Sequence, residues 1–273
     1  MRTLVHLSDV HFGRVDEAII EPLIENINDI KPDIVAVSGD LTQRARVREF
    51  KAARAFLDAL PHPQIVVPGN HDIPLHNILF RFVRPLDKYR RYITGDMHPS
   101  YVDDEIAVFG VNTARSLTIK GGRINEAQVV RLRENLSSLG PDATRIVVTH
   151  HPFDVPEGHD EGDLVGRARM AIEELAGCGA DLFLAGHLHV SHTGHTAKRY
   201  KLGRRSSLVV QAGTASSTRG RGEANSFNVI RISRPKITIE RFEWQPSRAV
   251  FVVSGTERFR LGSEGWTRVP DPE

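Results

Sequence analysis

The chain has 273 residues, 40% hydrophobic and 26% charged, with 36 Lys and Arg against 34 Asp and Glu. That composition is globular, and a net charge of +2 carries no clustered basic footprint of the kind nucleic-acid binders show. One cysteine, Cys178, excludes an intrachain disulfide and fits a reducing compartment. No apolar run approaches the ~18 residues of a membrane span or a secretory leader, so a cytoplasmic location without membrane contact is expected.

Short β-branched runs recur in chain order: Thr3–Leu7, Ile34–Val37, Ile65–Val67, Ala107–Val111, Arg145–Thr149 and Asp181–Ala185. Each has the length and composition of a buried strand. Between them Ile19, Ile20, Leu23, Ile24 and Ile27, and then Phe50, Ala53, Phe56, Leu57 and Leu60, share a helical face. This alternation predicts an α/β architecture with ligand-bearing loops at the carboxyl ends of the strands. Residues 73–101 break the rhythm. Pro85 interrupts a helical pattern, and Arg81, Arg84, Lys88, Arg90 and Arg91 gather there. The segment reads either as a solvated helix pair or as a cap that attracts an anionic substrate. From about 190 onward, Leu208–Gln211, Phe227–Ile232 and Ile237–Phe242 read as consecutive antiparallel strands, and 250–269 as a further hairpin. With no repeat or linker, residues 1–273 are expected to form one domain with a β-rich part at 190–273.

Thirteen histidines form the unusual count, because imidazole is the commonest metal ligand. Five of the strand candidates end in polar clusters: Ser8-Asp9-Val10-His11, Gly39-Asp40, Gly69-Asn70-His71-Asp72, His150-His151-Pro152 and Gly186-His187-Leu188-His189. They are expected at one edge of a sheet. Asp9 to Asp40 spans 31 positions and Asp40 to Asn70 spans 30, about one strand-helix-strand unit each. Seven O and N donors without a thiolate suit Mn or Fe, with Zn also admissible. Two ions about 3.5–4 Å apart, sharing a bridging carboxylate, would use all seven.

These five motifs, spread over about two-thirds of the chain, resemble the signatures of the calcineurin-like metallophosphoesterase superfamily. The resemblance implies a four-layer α-β-β-α sandwich. It implies that Asp9, His11 and His189 hold one ion and Asn70, His150 and His187 the other, with Asp40 between them. His71 would be the proton donor or phosphate-orienting group, and Asp72 would orient its imidazole. Gly-Asp-Leu-Thr and Asn-His-Asp depart from the protein serine/threonine phosphatases. His-His-Pro, Gly-His-Leu-His, Asn112–Arg115 and Gly213–Ser217 look like the cyclic-nucleotide and glycerophosphodiester phosphodiesterase branch. The expected function is hydrolysis of a small phosphodiester by direct attack of metal-bound water or hydroxide. His76, Asn112 and Arg115 are candidate substrate contacts, and the Arg219-Gly220-Arg221 turn is a candidate to greet phosphate or a solvated hairpin tip. The alternatives are a DNA or RNA exonuclease, which the balanced charge disfavours, and a non-catalytic binding module, which the complete ligand set disfavours. Homo-oligomerisation is left open. His6, inside the first strand, is expected to be a satisfied core histidine.

Overall fold

The computed structural model describes residues 1–75, 78–118, 120–200, 206–219 and 222–270. The chain opens with β1 (Arg2–Leu7), α1 (Glu17–Ile30), β2 (Ile34–Val37), α2 (Val47–Asp58) and β3 (Gln64–Val66). Asp16 caps α1 by accepting from the Ala18 amide, and Lys31 ends it in the left-handed conformation, as helix termini require. The helix faces read from the sequence are the buried ones: Ile19, Leu23 and Ile27 on α1, and Phe50, Ala53, Phe56 and Leu57 on α2. Next come α3 (Ile78–Val83), α4 (Asp87–Tyr92), β4 (Ser100–Val102), β5 (Ile106–Gly110), α5 (Glu126–Ser137) and β6 (Thr144–Val148). Then follow α6 (Ala168–Gly177), β7 (Leu182–Ala185), β8 (His192–His195), α7 (Thr196–Arg199) and β9 (Leu208–Gln211). The chain closes with β10 (Ser226–Ser233), β11 (Lys236–Gln245), β12 (Val250–Gly262) and β13 (Gly265–Val269).

Among the described residues these strands form two sheets, ordered β13-β12-β11-β10-β1-β2-β3 and β4-β5-β6-β7-β9-β8. Alternate side chains divide them into layers. Val5, Leu7, Val35 and Val37 pack outward against α1 and α2, while Leu4, Ile34 and Ala36 face inward onto Val108, Ile146, Leu184 and Val210 of the second sheet. Ala107, Phe109, Val147, Phe183 and Val209 then pack outward against α5 and α6. Helices, sheet, sheet and helices thus give the four-layer α-β-β-α sandwich. Strands buried on both faces need apolar residues at every position, which explains why the runs are continuous rather than alternating.

Two expectations require correction. The five motif-bearing strands do not share a sheet: β1, β2 and β3 lie in the first and β6 and β7 in the second. Nor is Leu208–Gln211 the first of a series of antiparallel strands, because β9 pairs parallel with β7, Leu182 opposite Leu208 and Ala185 opposite Gln211. Its Leu-Val-Val run is fully buried, the mark of an interior strand. β10, β11, β12 and β13 are successively antiparallel, as read.

Candidate metal centre

The loops leaving both sheets meet at one place. Beyond β1 and β2 the backbones stay paired, with the Asp9 amide donating to the Gly39 carbonyl at 3.1 Å and the His11 amide to Asp40 at 2.9 Å. The sheets are sutured there, since the Ala215 amide donates to the Ser8 carbonyl at 3.0 Å and the His187 amide to Asp9 Oδ2 at 2.9 Å. The approach is too close for side chains at two glycines: a Cβ on Gly69 would collide with Asp40 Oδ1, and one on Gly186 with Ser8 Oγ. Asp9, His11, Asp40, His187 and His189 all hold positive φ, between 53° and 74°. Non-glycine residues adopt that conformation at a cost, and such outliers gather where function demands a geometry.

The donor atoms converge in two groups. In the first, His189 Nε2 lies 3.2 Å from Asp9 Oδ1 and 3.2 Å from His11 Nε2, and His11 Nε2 lies 3.4 Å from Asp9 Oδ1 and 3.7 Å from Asp40 Oδ2. In the second, His150 Nε2 lies 3.4 Å from the same Asp40 Oδ2 and 3.1 Å from Asn70 Oδ1, and its ring is 5.1 Å from that of His187. Donors about 2.0–2.2 Å from a common ion must themselves lie roughly 3–3.5 Å apart, which is the spacing found.

Hydrogen bonds aim these atoms. Asp9 Oδ2 accepts from Ser8 Oγ at 2.6 Å and from the His187 amide, while its buried Oδ1 has no hydrogen-bond partner. Asp40 Oδ1 accepts from the His71 amide at 2.8 Å, leaving Oδ2 inward. His150 Nδ1 donates to the Ser38 carbonyl at 2.8 Å, which turns Nε2 to the centre, and His189 Nδ1 faces the Arg219 carbonyl at 3.3 Å. Such outer partners fix tautomer and ring orientation in metal sites. A buried carboxylate oxygen without a proton donor, amid convergent imidazoles, fits a cation. Burial opposes ionisation of Asp9 and Asp40, yet His189 and His150 respectively hold both carboxyls well below their ordinary value. Burial likewise works against charge on His150, but Asp40 carries its pKa up to about 9. Burial, with His150 beside it, drives His187 down to about 3.

His151 also lies near His150 and His187, but both its nitrogens are engaged. Nδ1 meets Thr113 Oγ1 at 2.9 Å and Nε2 donates to the Lys120 carbonyl at 2.9 Å. It is a buried, satisfied histidine rather than a ligand. His6 is buried in the core as expected but only half satisfied: Nε2 bonds Ser38 Oγ at 2.9 Å, Nδ1 has no hydrogen-bond partner, and burial lowers its pKa to about 3.

His71 stands beside the donors without joining them, its ring edge-on to His11 at 4.9 Å. Its orientation departs from expectation, because Asp72 does not hold the imidazole. The Asp72 carboxylate accepts from the amides of Leu41, Thr42 and Gly69 and from Thr42 Oγ1, at 2.9–3.2 Å. It thereby ties the Asp40 and Asn70 loops together, and burial, with Asp40 nearby, raises its pKa to about 6. His71 Nδ1 instead donates to the Gln43 carbonyl at 2.8 Å, and Nε2 accepts from Arg219 Nη1 at 2.9 Å. Gln43 escaped the sequence reading, and Ser8, named at the end of the first strand, was given no role in it. Gln43 acts through a carbonyl that every residue has.

Of the candidate substrate contacts, His76 lies outside the described residues, as do Gly220 and Arg221. Asn112 and Arg115 line a groove of about 400 Å³ with Ile73, Arg84 and Arg90. Asn112 Oδ1 accepts from the Ala114 amide and Arg115 Nε donates to the Arg123 carbonyl. No described helix is long and apolar enough to cross a membrane.

Comparison with known proteins agrees with this geometry. The chain is 28% identical over 171 residues to glycerophosphodiester phosphodiesterase GpdQ of Enterobacter lignolyticus, covering 59% of this chain and 60% of that protein. It is 30% identical over 188 residues to a probable glycerophosphodiester phosphodiesterase GpdQ of Arcobacter nitrofigilis, covering 62% and 64%. The matches thus span less than two-thirds of these relatives. Purple acid phosphatase PPD1 from yellow lupin shares the fold at a TM-score of 0.65 and 13% identity, over 93% of this chain and 53% of that one. The family model for calcineurin-like phosphoesterase matches residues 2–191, the span that holds all seven donors. The chain belongs to the calcineurin-like phosphoesterase family.

Proposed function

We propose that this protein is a metal-dependent hydrolase of small phosphodiesters, with glycerophosphodiesters and cyclic nucleotides as the substrate classes to test first. The observation that carries the reading is the pair of donor groups meeting at Asp40 Oδ2. Asp9, His11 and His189 would hold one ion, Asn70, His150 and His187 a second, and Asp40 both, with Mn or Fe suited to the mixed donors. Bound there, the ions would lower the pKa of a water toward about 7 and neutralise charge developing on the phosphate.

The remaining roles fall to the chain itself. Asp9, His11, Asp40 and His150 are buried, whereas Asn70, His71 and His187 are partly exposed, so substrate enters from the latter side. His71 is partly exposed, with Nδ1 fixed on the Gln43 carbonyl and Nε2 under the Arg219 guanidinium; once Nε2 exchanges Arg219 for a proton from solvent, it is the group suited to protonate the leaving-group oxygen. The groove lined by Asn112 and Arg115 would receive the rest of the substrate. The relatives described as GpdQ favour glycerophosphodiesters, and the motif resemblance extends the reading to cyclic nucleotides.

A substrate panel on metal-defined enzyme tests the reading: glycerophosphodiesters, cyclic nucleotides, phosphomonoesters and single-stranded DNA. Turnover of a diester that chelation abolishes and Mn²⁺ or Fe restores is expected. Full activity in metal-free protein would overturn it.

A further inference from the structure

Arg219 lies on the loop between β9 and β10, beyond the matched family region, and that loop is built into the site. The Asp16 amide donates to the Ser216 carbonyl at 2.8 Å, Ser216 Oγ to the Val10 carbonyl at 3.1 Å and the Thr218 amide to Arg14 at 3.1 Å. Asn225 Nδ2 donates to the Ser217 carbonyl at 2.9 Å, and the Arg219 amide to Ser217 Oγ at 3.1 Å. The Arg219 carbonyl faces His189 Nδ1. The backbone of Arg219 is therefore held against the first donor group, and its half-buried side chain reaches back to His71.

That contact is electrically incomplete. A guanidinium carries a permanent charge and a planar fork of donors. Here its partner is His71 Nε2, an acceptor on a ring whose Nδ1 already donates to Gln43. Among the described residues no carboxylate pairs with Arg219, and the contact its guanidinium makes is with the His71 ring nitrogen. A phosphate oxygen offers Arg219 a charge-assisted, bidentate partner that imidazole does not.

We infer that Arg219 is the phosphate-gripping residue of this centre: its guanidinium rests on His71 Nε2 and transfers to a non-bridging oxygen of the bound phosphate. The inference rests on the phosphoesterase reading above and adds to it a residue from outside the metal-binding motifs.

The test uses the full chain loaded with Mn²⁺ and inorganic phosphate as probe, comparing wild type with Arg219→Ala and Arg219→Lys. Phosphate binding is read by calorimetry, metal content by elemental analysis, and KM and kcat on bis-p-nitrophenyl phosphate. Arg219→Ala should bind phosphate about 10- to 100-fold more weakly, raise KM and keep its metals, and Arg219→Lys should recover part of the loss because charge returns without the fork. Unchanged phosphate affinity with metals retained overturns the inference. Metal loss in both variants also overturns it and assigns the Arg219 side chain to keeping in place the loop whose carbonyl faces His189. A wild type that turns over no ester but binds phosphate through Arg219 would remove the proposed activity and leave the grip. A fully active wild type whose phosphate affinity ignores Arg219 would do the reverse.

Discussion

The candidate metal centre and the groove lined by Asn112 and Arg115 are built on opposite principles. At the centre, buried donors sit on loops stapled to two sheets, each carboxylate has one oxygen fixed and one aimed, and five donors carry left-handed backbone. In the groove wall, Val83 and Leu117 are among the more exposed apolar side chains, Leu117 at 80%. The buried Arg81 clips α3 to the chain by donating to the carbonyls of Pro74, Ser116 and Thr118. Rigid geometry suits reacting atoms, which tolerate little misplacement. A looser wall suits recognition, where substrates differ.

The largest effect should come from breaking the rigid side. Asp40→Ala removes the atom common to both donor groups. It should lower activity by about 10³-fold or more and reduce bound metal below that of any other single donor variant. Two ions retained in Asp40→Ala would show that the groups are independent. Gly69→Ala should also lose metal, because the added Cβ meets the Asp40 amide and carboxylate.

His71→Ala separates proton transfer from metal binding. General acid catalysis contributes about 10²–10⁴-fold, and most where the leaving group needs a proton. Both metals should remain, and activity on an alkoxide-leaving diester should fall far more than on bis-p-nitrophenyl phosphate. Equal losses on both would make His71 a positioning group.

A smaller effect comes from Ser8→Ala, which leaves the donor set intact but removes one of the two hydrogen bonds on Asp9 Oδ2. Loss of such an outer partner costs about 10–100-fold in metal affinity, measurable by competition with a chelating dye. Arg81→Ala should act on the groove alone. It removes three charge-assisted hydrogen bonds, about 1.5–3 kcal/mol each before water repairs the loss. It should lower thermal stability and raise KM while kcat changes little, and a collapse of kcat would join the groove to the chemistry.

The gentlest probe is pH. His150 in the metal-free protein keeps its proton up to about pH 9, whereas His187, lowered to about 3, needs no deprotonation. The His150–Asp40 pair therefore stabilises the metal-free fold fully below the ordinary histidine value of about 6.5 and loses that contribution as pH rises through 9. A cation must displace this proton, so metal affinity should climb with pH until about 9 and then level. Calorimetry in buffers of different ionisation enthalpy should show proton release on metal uptake at pH 7.5, and its absence would remove the coupling.

The motifs at Asp9, Asp40, Asn70, His150 and His187–His189 were legible because each is a short polar cluster ending an apolar strand, and donor chemistry depends on residue type. The helix faces of α1 and α2 were legible for a similar reason, since burial imposes a period on local sequence. The sheet to which each strand belongs was decided by the tertiary structure alone. β9 and β10 are both apolar, yet β9 joins the second sheet beside β7 and β10 the first beside β1. Their pairing depends on surfaces distant in sequence. The same holds for the partners of His71. The family resemblance pointed to Asp72, but a side chain's neighbours are set by packing. That packing spends Asp72 on three amides and a hydroxyl and brings the Gln43 carbonyl and Arg219, 148 positions away, to the two ring nitrogens.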